Sequence, residues 1–310
     1  MPAKRKVLAI VGPTASGKTK LAIKTAKSLE GEIISADSRQ NYKHIPISTA
    51  TPSIEERQGI VHHYLQELNL TEKFTAGEFG KSARIKIDEI FEKDKVPVIC
   101  GGSGLYIKSL IDGFFEEEVQ DENIRKNLYQ LLKDKGKDFI YNELQEIDKI
   151  AASTMLPSNT RRIIRALEVY FASGKKMSEL QKQKIEINFR TVQVGLYLER
   201  KFLYERINKR VEDMIEEGLV DEVERLKSNG YDWRTYNSLN TVGIKEVFGY
   251  LEGQLDYKDM VELIKQNTRR YAKRQMTWFK ADNRILWLEV TEDKPLEELT
   301  KETLYLFKNN

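Results

Sequence analysis

Residues 6–31 read KVLAIVGPTASGKTKLAIKTAKSLEG, and the fold class follows from how that stretch divides. KVLAIV is a short continuous apolar run, rich in β-branched residues and bounded by Gly12 and Pro13. Such a run suits a parallel strand buried on both faces. After it, apolar residues fall at Leu21, Ala22, Ala26 and Leu29, and Gly31 follows, which is helical spacing with a glycine stop. Between the two, Gly12, Pro13, Thr14, Ala15, Ser16, Gly17, Lys18 and Thr19 match G-x-x-x-x-G-K-[ST] in full. Chance would supply such a match in about one chain of this length in a hundred, before strand and helix context is required. Gly12 and Gly17 let the backbone curl so that successive N–H groups point inward, and with the positive helix end they hold an anionic phosphate. Lys18 adds a full charge, and the Thr19 hydroxyl can ligate Mg²⁺.

Working outward, EIISAD (32–37) and VPVICGG (96–102) read as further strands. TAGEFGKSARIKIDEIFEKD (75–94) and SGLYIKSLIDG (103–113) read as helices. Strand and helix alternate, so a doubly wound α/β core of the P-loop NTPase type is expected. Near Phe115 the pattern changes to charge-rich helices, and no strand candidate recurs until RTVQVGLYLE (190–199). The simplest organisation is a discontinuous core, 1–115 and 191–310, with a helical insertion over 116–190. The last third is again helical, apart from the late strand RILWLEV (284–290).

The 310 residues, 40% of them hydrophobic, suffice for a large core. Charged residues make up 32%, but the formal net charge of +3 is too small to establish a nucleic-acid partner by itself. The single cysteine, Cys100, excludes an intrachain disulfide and a multi-cysteine zinc site. It ends an apolar strand and reads as packing rather than as a nucleophile. His62 and His63 are adjacent, which suits structural or RNA-facing roles better than one metal. The basic start and short apolar run lack a cleavage site, and no stretch approaches a membrane span. A cytoplasmic monomer is expected.

The loop alone does not say which phosphate it holds. A kinase or ATPase needs an acid at the end of a neighbouring strand for its metal. VPVICGGSG offers none, and the only early strand-terminal acid is Asp37. That residue reads as a metal-side acid, a base facing substrate, or part of a helix cap. ATP binding by a nucleoside or small-metabolite kinase, or by an ATPase acting on RNA, therefore stays open on this ground.

Six segments taken in order go further: GPTASGKT (12–19), SADSRQNYKHIPISTATP (35–52), VPVICGGSGLYIKSLIDG (96–113), NTRRIIRALEVYFASGK (159–175), LYERINKRVEDMIEEGLVDEV (203–223) and AKRQMTWFK (272–280). Together they resemble the bacterial tRNA dimethylallyltransferase (tRNA isopentenyltransferase) family. That resemblance implies transfer of a dimethylallyl group from its diphosphate to the exocyclic amine of an adenine beside the tRNA anticodon, with Mg²⁺. It implies that Thr14–Thr19 hold diphosphate, with Thr19 also at Mg²⁺, and that Arg210 meets the growing charge of the leaving group. It makes Asp37 the general base, which orients a poorly nucleophilic amine and takes its proton. Ser38, Arg39, Gln40 and Ser103 would contact the RNA. Two departures stand out. Ser103 replaces the usual threonine, and ISTATP (47–52) replaces IGTAKP, with Ser48 for glycine and Thr51 for lysine.

For the RNA itself, NTRRYAKRQMTWFK (267–280) is basic with no acid and carries Tyr271 and Trp278. It suits an RNA backbone, with base stacking as an added contact, or else a solvated helix face over core aromatics. The resemblance assigns Arg161, Arg162, Ile163, Ile164 and Arg165 to tRNA contact, although Ile163 and Ile164 can pack inward. Arg125 and Lys126 are weaker candidates. The insertion is expected to clamp the anticodon arm while the target adenine leaves its stack, at a cost of a few kcal/mol.

Overall fold

The computed structural model describes residues 5–114, 119–183 and 185–310. In chain order the elements are β1 (Arg5–Val11), α1 (Lys18–Ser28), β2 (Glu32–Ser35), α2 (Pro46–Thr49), β3 (His62–His63), α3 (Ala76–Glu92), β4 (Pro97–Gly101) and α4 (Gly104–Asp112). Then come α5 (Glu122–Lys135), α6 (Lys137–Ile147), α7 (Lys149–Ser153), α8 (Thr160–Ser173), α9 (Met177–Leu180) and β5 (Phe189–Tyr197). The chain ends with α10 (Arg200–Glu216), α11 (Leu219–Ser228), α12 (Ile244–Leu251), α13 (Tyr257–Lys280), β6 (Ile285–Glu289) and α14 (Leu296–Asn309). Two compact units result: Met1–Ile111 with Ile187–Asn310, and Asp112–Glu186.

The larger unit is built on one parallel sheet in the order β3-β2-β4-β1-β5-β6. Its central strands are apolar on both faces because helices cover both faces. Leu8, Ile10, Val98 and Val194 pack with Leu21, Ala22 and Ala26 of α1. Because every strand runs the same way, the segments after β1, β2, β4 and β5 all leave from one edge, where ligands of open α/β sheets bind. A second apolar cluster joins α10 to α13 through Val211, Val223, Phe248 and Ile264, and reaches Tyr42 and Ile45 in the segment after β2.

The smaller unit is entirely helical among its described residues, with Leu128, Ile140, Leu144, Ile163, Ile164 and Leu167 in its interior. Glu168 is fully buried there. It accepts hydrogen bonds from the Arg125 guanidinium (2.9 and 3.0 Å to Nη2), from Arg165 Nη1 (3.1 Å) and from the Asp121 N–H (3.1 Å).

One reading changes, and one element is new. The insertion does not run to residue 190: Phe189 and Arg190 pair with Arg5 and Lys6 in the sheet, and Asn188 Nδ2 donates to Asp88. The start expected at 116 lies outside the described residues. The edge strand β3 has no apolar run to announce it; it exists because His62 and His63 pair with Ile33 and Ile34.

Both histidines are structural. His62 Nδ1 meets the Ile60 carbonyl at 2.8 Å, and His63 Nε2 meets Glu32 at 2.8 Å. Among the described residues no group of three His, Cys, Asp or Glu could hold a metal, and no helix is long and apolar enough to cross a membrane. Glu32 is buried, and burial alone would raise its pKa. Hydrogen bonds from Lys95 and His63, with the charges of Lys95 and Lys93, outweigh this and bring it down to about 2. A carboxylate depressed on folding stabilises above its unfolded pKa, and that stability is lost as pH falls towards the folded value. Between pH 4.5 and 2 the wild type should therefore lose on the order of 1–2 kcal/mol that Glu32→Gln does not lose. Urea unfolding of both proteins across that range checks it, and parallel curves would refute it.

Candidate active site

The phosphate loop leaves β1 at Gly12. Ala15 (φ +61°) and Gly17 (φ +91°) both lie in the left-handed region, and turns of this kind make a concave nest of N–H groups. α1 begins at Lys18, so the loop meets a helix N-terminus as well. Lys18 Nζ donates back to the Pro13 carbonyl at 3.2 Å. The Lys18 ammonium lies below its ordinary pKa, chiefly because it is buried. Cys100 and Asp37 oppose that shift and Arg210 adds to it.

Asp37 leaves the end of β2 and faces the loop's lysine. Its Oδ1 accepts the Arg39 N–H at 3.0 Å, and among the described residues its other oxygen accepts no hydrogen bond. The segment is pinned to the neighbouring strand. The Ser103 N–H donates to the Ala36 carbonyl (3.2 Å), and Ser103 Oγ accepts the Ser38 N–H (3.0 Å). Approach here is so close that a Cβ on Gly101 would lie 2.2 Å from the Ala36 oxygen, so only glycine fits. Gln40 is occupied within the fold: its amide donates to the Thr49 and Ala50 carbonyls and accepts from Ser35 Oγ. Ser48, one of the departures, is buried and donates to Glu222, which also receives the Ile47 and Ser48 N–H groups.

α10 supplies two guanidiniums. Burial lowers the pKa of both Arg210 and Arg206, with Asp37 partly opposing at Arg210. Arg206 Nη2 lies 3.3 Å from where a Cβ on Gly17 would sit, so it is beside the loop. Among the described residues neither guanidinium has a carboxylate at ion-pair distance. Unpaired, partly buried cations are costly, and a bound polyanion would relieve the cost. The sequence reading singled out Arg210 and passed over Arg206; the signal was their spacing of four, which puts both on one helix face.

At the end of β4, where a nucleotide hydrolase would place its metal-side acid, Cys100 stands instead. Burial pushes its thiol up to about 11, against the influence of Lys18 and Thr19, so it stays protonated at neutral pH. Over the next turn Trp278 of α13 covers Gly104, where a Cβ would come within 2.2 Å of the indole. The Tyr271 phenol is pushed up by burial and by Asp37, with Ser103 opposing. Tyr271 thus belongs to the cleft, while Trp278 is 46% exposed.

A model of the IPP transferase family matches residues 40–282. The chain belongs to that family. Relatives of the chain include the tRNA dimethylallyltransferase of Acetivibrio thermocellus, 45% identical over 304 residues and 96% of each chain. The enzyme of that name from Bacillus subtilis is 42% identical over 301 residues, covering 96% of this chain and 95% of its own. Among solved structures, the tRNA isopentenylpyrophosphate transferase of Bacillus halodurans superposes with a TM-score of 0.73 at 37% identity, covering 98% of this chain and 97% of the other. A eukaryotic dimethylallyltransferase acting on tRNA gives 0.77 at 31% identity, over 93% and 74%. These likenesses make the parallel core a P-loop NTPase-like fold.

The larger unit thus gathers Gly12–Thr19, Asp37–Gln40, Ser103 and Arg210 at one sheet edge. The remaining residues expected at RNA belong to the helical unit, and the structure places them unequally. Ile163 and Ile164 are buried core residues, and Arg125 and Arg165 are held by Glu168. Arg161, Arg162 and Lys126 are the exposed members. Removing Arg206 should weaken inorganic diphosphate binding roughly ten- to a hundredfold, the range of a charged hydrogen bond. Isothermal titration of Arg206→Ala checks it, and wild-type affinity would refute it.

Proposed function

We propose that the protein transfers the dimethylallyl group of dimethylallyl diphosphate to the exocyclic amine of the adenine 3′-adjacent to the tRNA anticodon. The observation that carries this reading is the set of unpaired cations Lys18, Arg206 and Arg210 at the phosphate loop, opposite an open carboxylate oxygen of Asp37. An anionic leaving group suits the first feature and a proton-bearing nucleophile the second.

Asp37 orients the amine and takes its proton as the nitrogen–carbon bond forms, while the carbon–oxygen bond to diphosphate breaks. The loop N–H groups, Lys18, Arg206 and Arg210 meet the charge that grows on the departing diphosphate. Mg²⁺ fits this donor set, because Thr19 offers a hydroxyl and hard cations of this size take most ligands from phosphate and water. Bound beside Thr19, it would neutralise part of the diphosphate charge. Ser38 and Arg39 flank the base on the RNA side. Ser103 and Gln40 act mainly by holding the segment that carries it. Arg270, Lys273 and Arg274 are exposed on α13 and Arg161 and Arg162 on α8, all available to RNA phosphates. Action as a cytoplasmic monomer is part of the same proposal. ATP-dependent phosphoryl transfer is disfavoured, since a neutral thiol stands where its metal-side acid belongs.

Radiolabelled dimethylallyl diphosphate, Mg²⁺ and unmodified tRNA should give labelled RNA. Asp37→Ala should slow labelling by about 10²–10⁴-fold. Consumption of ATP without labelling would replace this reading with a kinase or ATPase. Replacing Arg161 and Arg162 together by alanine should weaken tRNA binding and lower the salt slope of log affinity by roughly one to two. An unchanged slope would remove α8 from the RNA surface.

A further inference from the structure

We propose that Gln275 is a positioning residue that fixes the separation between the diphosphate loop and the carboxylate of Asp37; this rests on the transfer reaction proposed above. Gln275 lies on α13 and is only 6% exposed. Its Oε1 accepts the Thr14 N–H at 2.9 Å, and its Nε2 donates to the Gly102 carbonyl at 2.8 Å. The amide fills the space beside Gly102, where a Cβ would lie 2.3 Å from Nε2.

The ladder between β1 and β4 ends at the pair Val11–Gly101. Beyond it the two strands turn into separate loops, and no backbone bond ties Thr14 to Gly102. The Gln275 side chain continues the tie at the point where the ladder stops. From Gly102 the connection passes to Ser103, whose hydroxyl accepts the Ser38 N–H, next to Asp37. One amide therefore stands between the cradle of the leaving group and the base that serves the nucleophile. Only a group with a donor and an acceptor on one rigid plane satisfies both loops at neutral pH. Methionine supplies no donor and only a weak acceptor, and an ionised glutamate supplies only the acceptor. Bond formation between two held reactants is sensitive to displacements of about 1 Å, which cost on the order of a hundredfold in rate.

The test compares wild type, Gln275→Met and Gln275→Glu in the dimethylallyl transfer assay. Both variants should lose roughly ten- to a hundredfold in kcat at pH 8, with KM for dimethylallyl diphosphate and Kd for tRNA within about threefold of wild type. The activity of Gln275→Glu relative to wild type should recover as pH falls towards 6, because the protonated acid regains a donor. The ratio for Gln275→Met should stay flat. A role confined to stability would lower Tm without this split of kcat from KM and without the pH recovery. Wild-type kcat in both variants, a fall in kcat/KM carried by KM alone, or a flat ratio for Gln275→Glu would overturn the inference. If Gln275→Met fails to fold, Gln275→Glu alone decides. A wild type that does not label tRNA sinks the proposed function instead, whereas an active wild type with equally active variants sinks only the role of Gln275.

Discussion

The close approach of the segments that follow β2 and β4 is the constraint on which the cleft depends. The Ala36 N–H bonds the Cys100 carbonyl at 2.8 Å, and the Ala36 carbonyl receives the Ser103 N–H. The space between is too small for any side chain at position 101. Two adjacent strand ends are thereby locked, and Asp37 is carried on the locked segment. A backbone lock of this kind is stiffer than any side-chain contact, since it fixes dihedrals as well as distances. The phosphate loop sits on the next strand, so its position relative to Asp37 is set by sheet register first.

Charge is arranged against that frame in an unusual balance. Lys18, Arg206 and Arg210 crowd a loop that is already electropositive through its N–H groups, with the Asp37 carboxylate near Lys18. Burial depresses the pKa values of all three cations, and for Lys18 and Arg210 a neighbouring guanidinium adds to the shift. A dianionic or trianionic ligand would offset the cost of such a cluster. The helical unit shows the opposite solution: Glu168 is buried and neutralised by Arg125 and Arg165. Glu168 holds those two arginines, whereas among the described residues Arg206 and Arg210 have no carboxylate at ion-pair distance.

Much of the core was legible because its signals are local. A β-branched run before Gly12, helical spacing after Gly17, and glycines after Cys100 each follow from short-range geometry, and the strands and helices stand where those signals put them. The edge strand β3 was not legible, because two histidines become a strand only through the neighbour that pairs with them. The hold of Glu168 on Arg125 was not legible for a similar reason. A basic residue on a helix looks solvent-facing until its partner, 43 residues away for Arg125, is brought beside it.

The sequence by itself determined the phosphate loop, the alternation that builds the parallel core, the helical insertion and the family. All of these rest on residue types at fixed short spacings or on ordered motifs. Tertiary structure alone decided which cations stay unpaired, that Gln275 joins Thr14 to Gly102, and that Ser48 is used by Glu222. Those outcomes depend on groups as far apart as 261 residues meeting within hydrogen-bond range, and no local spacing encodes such a meeting.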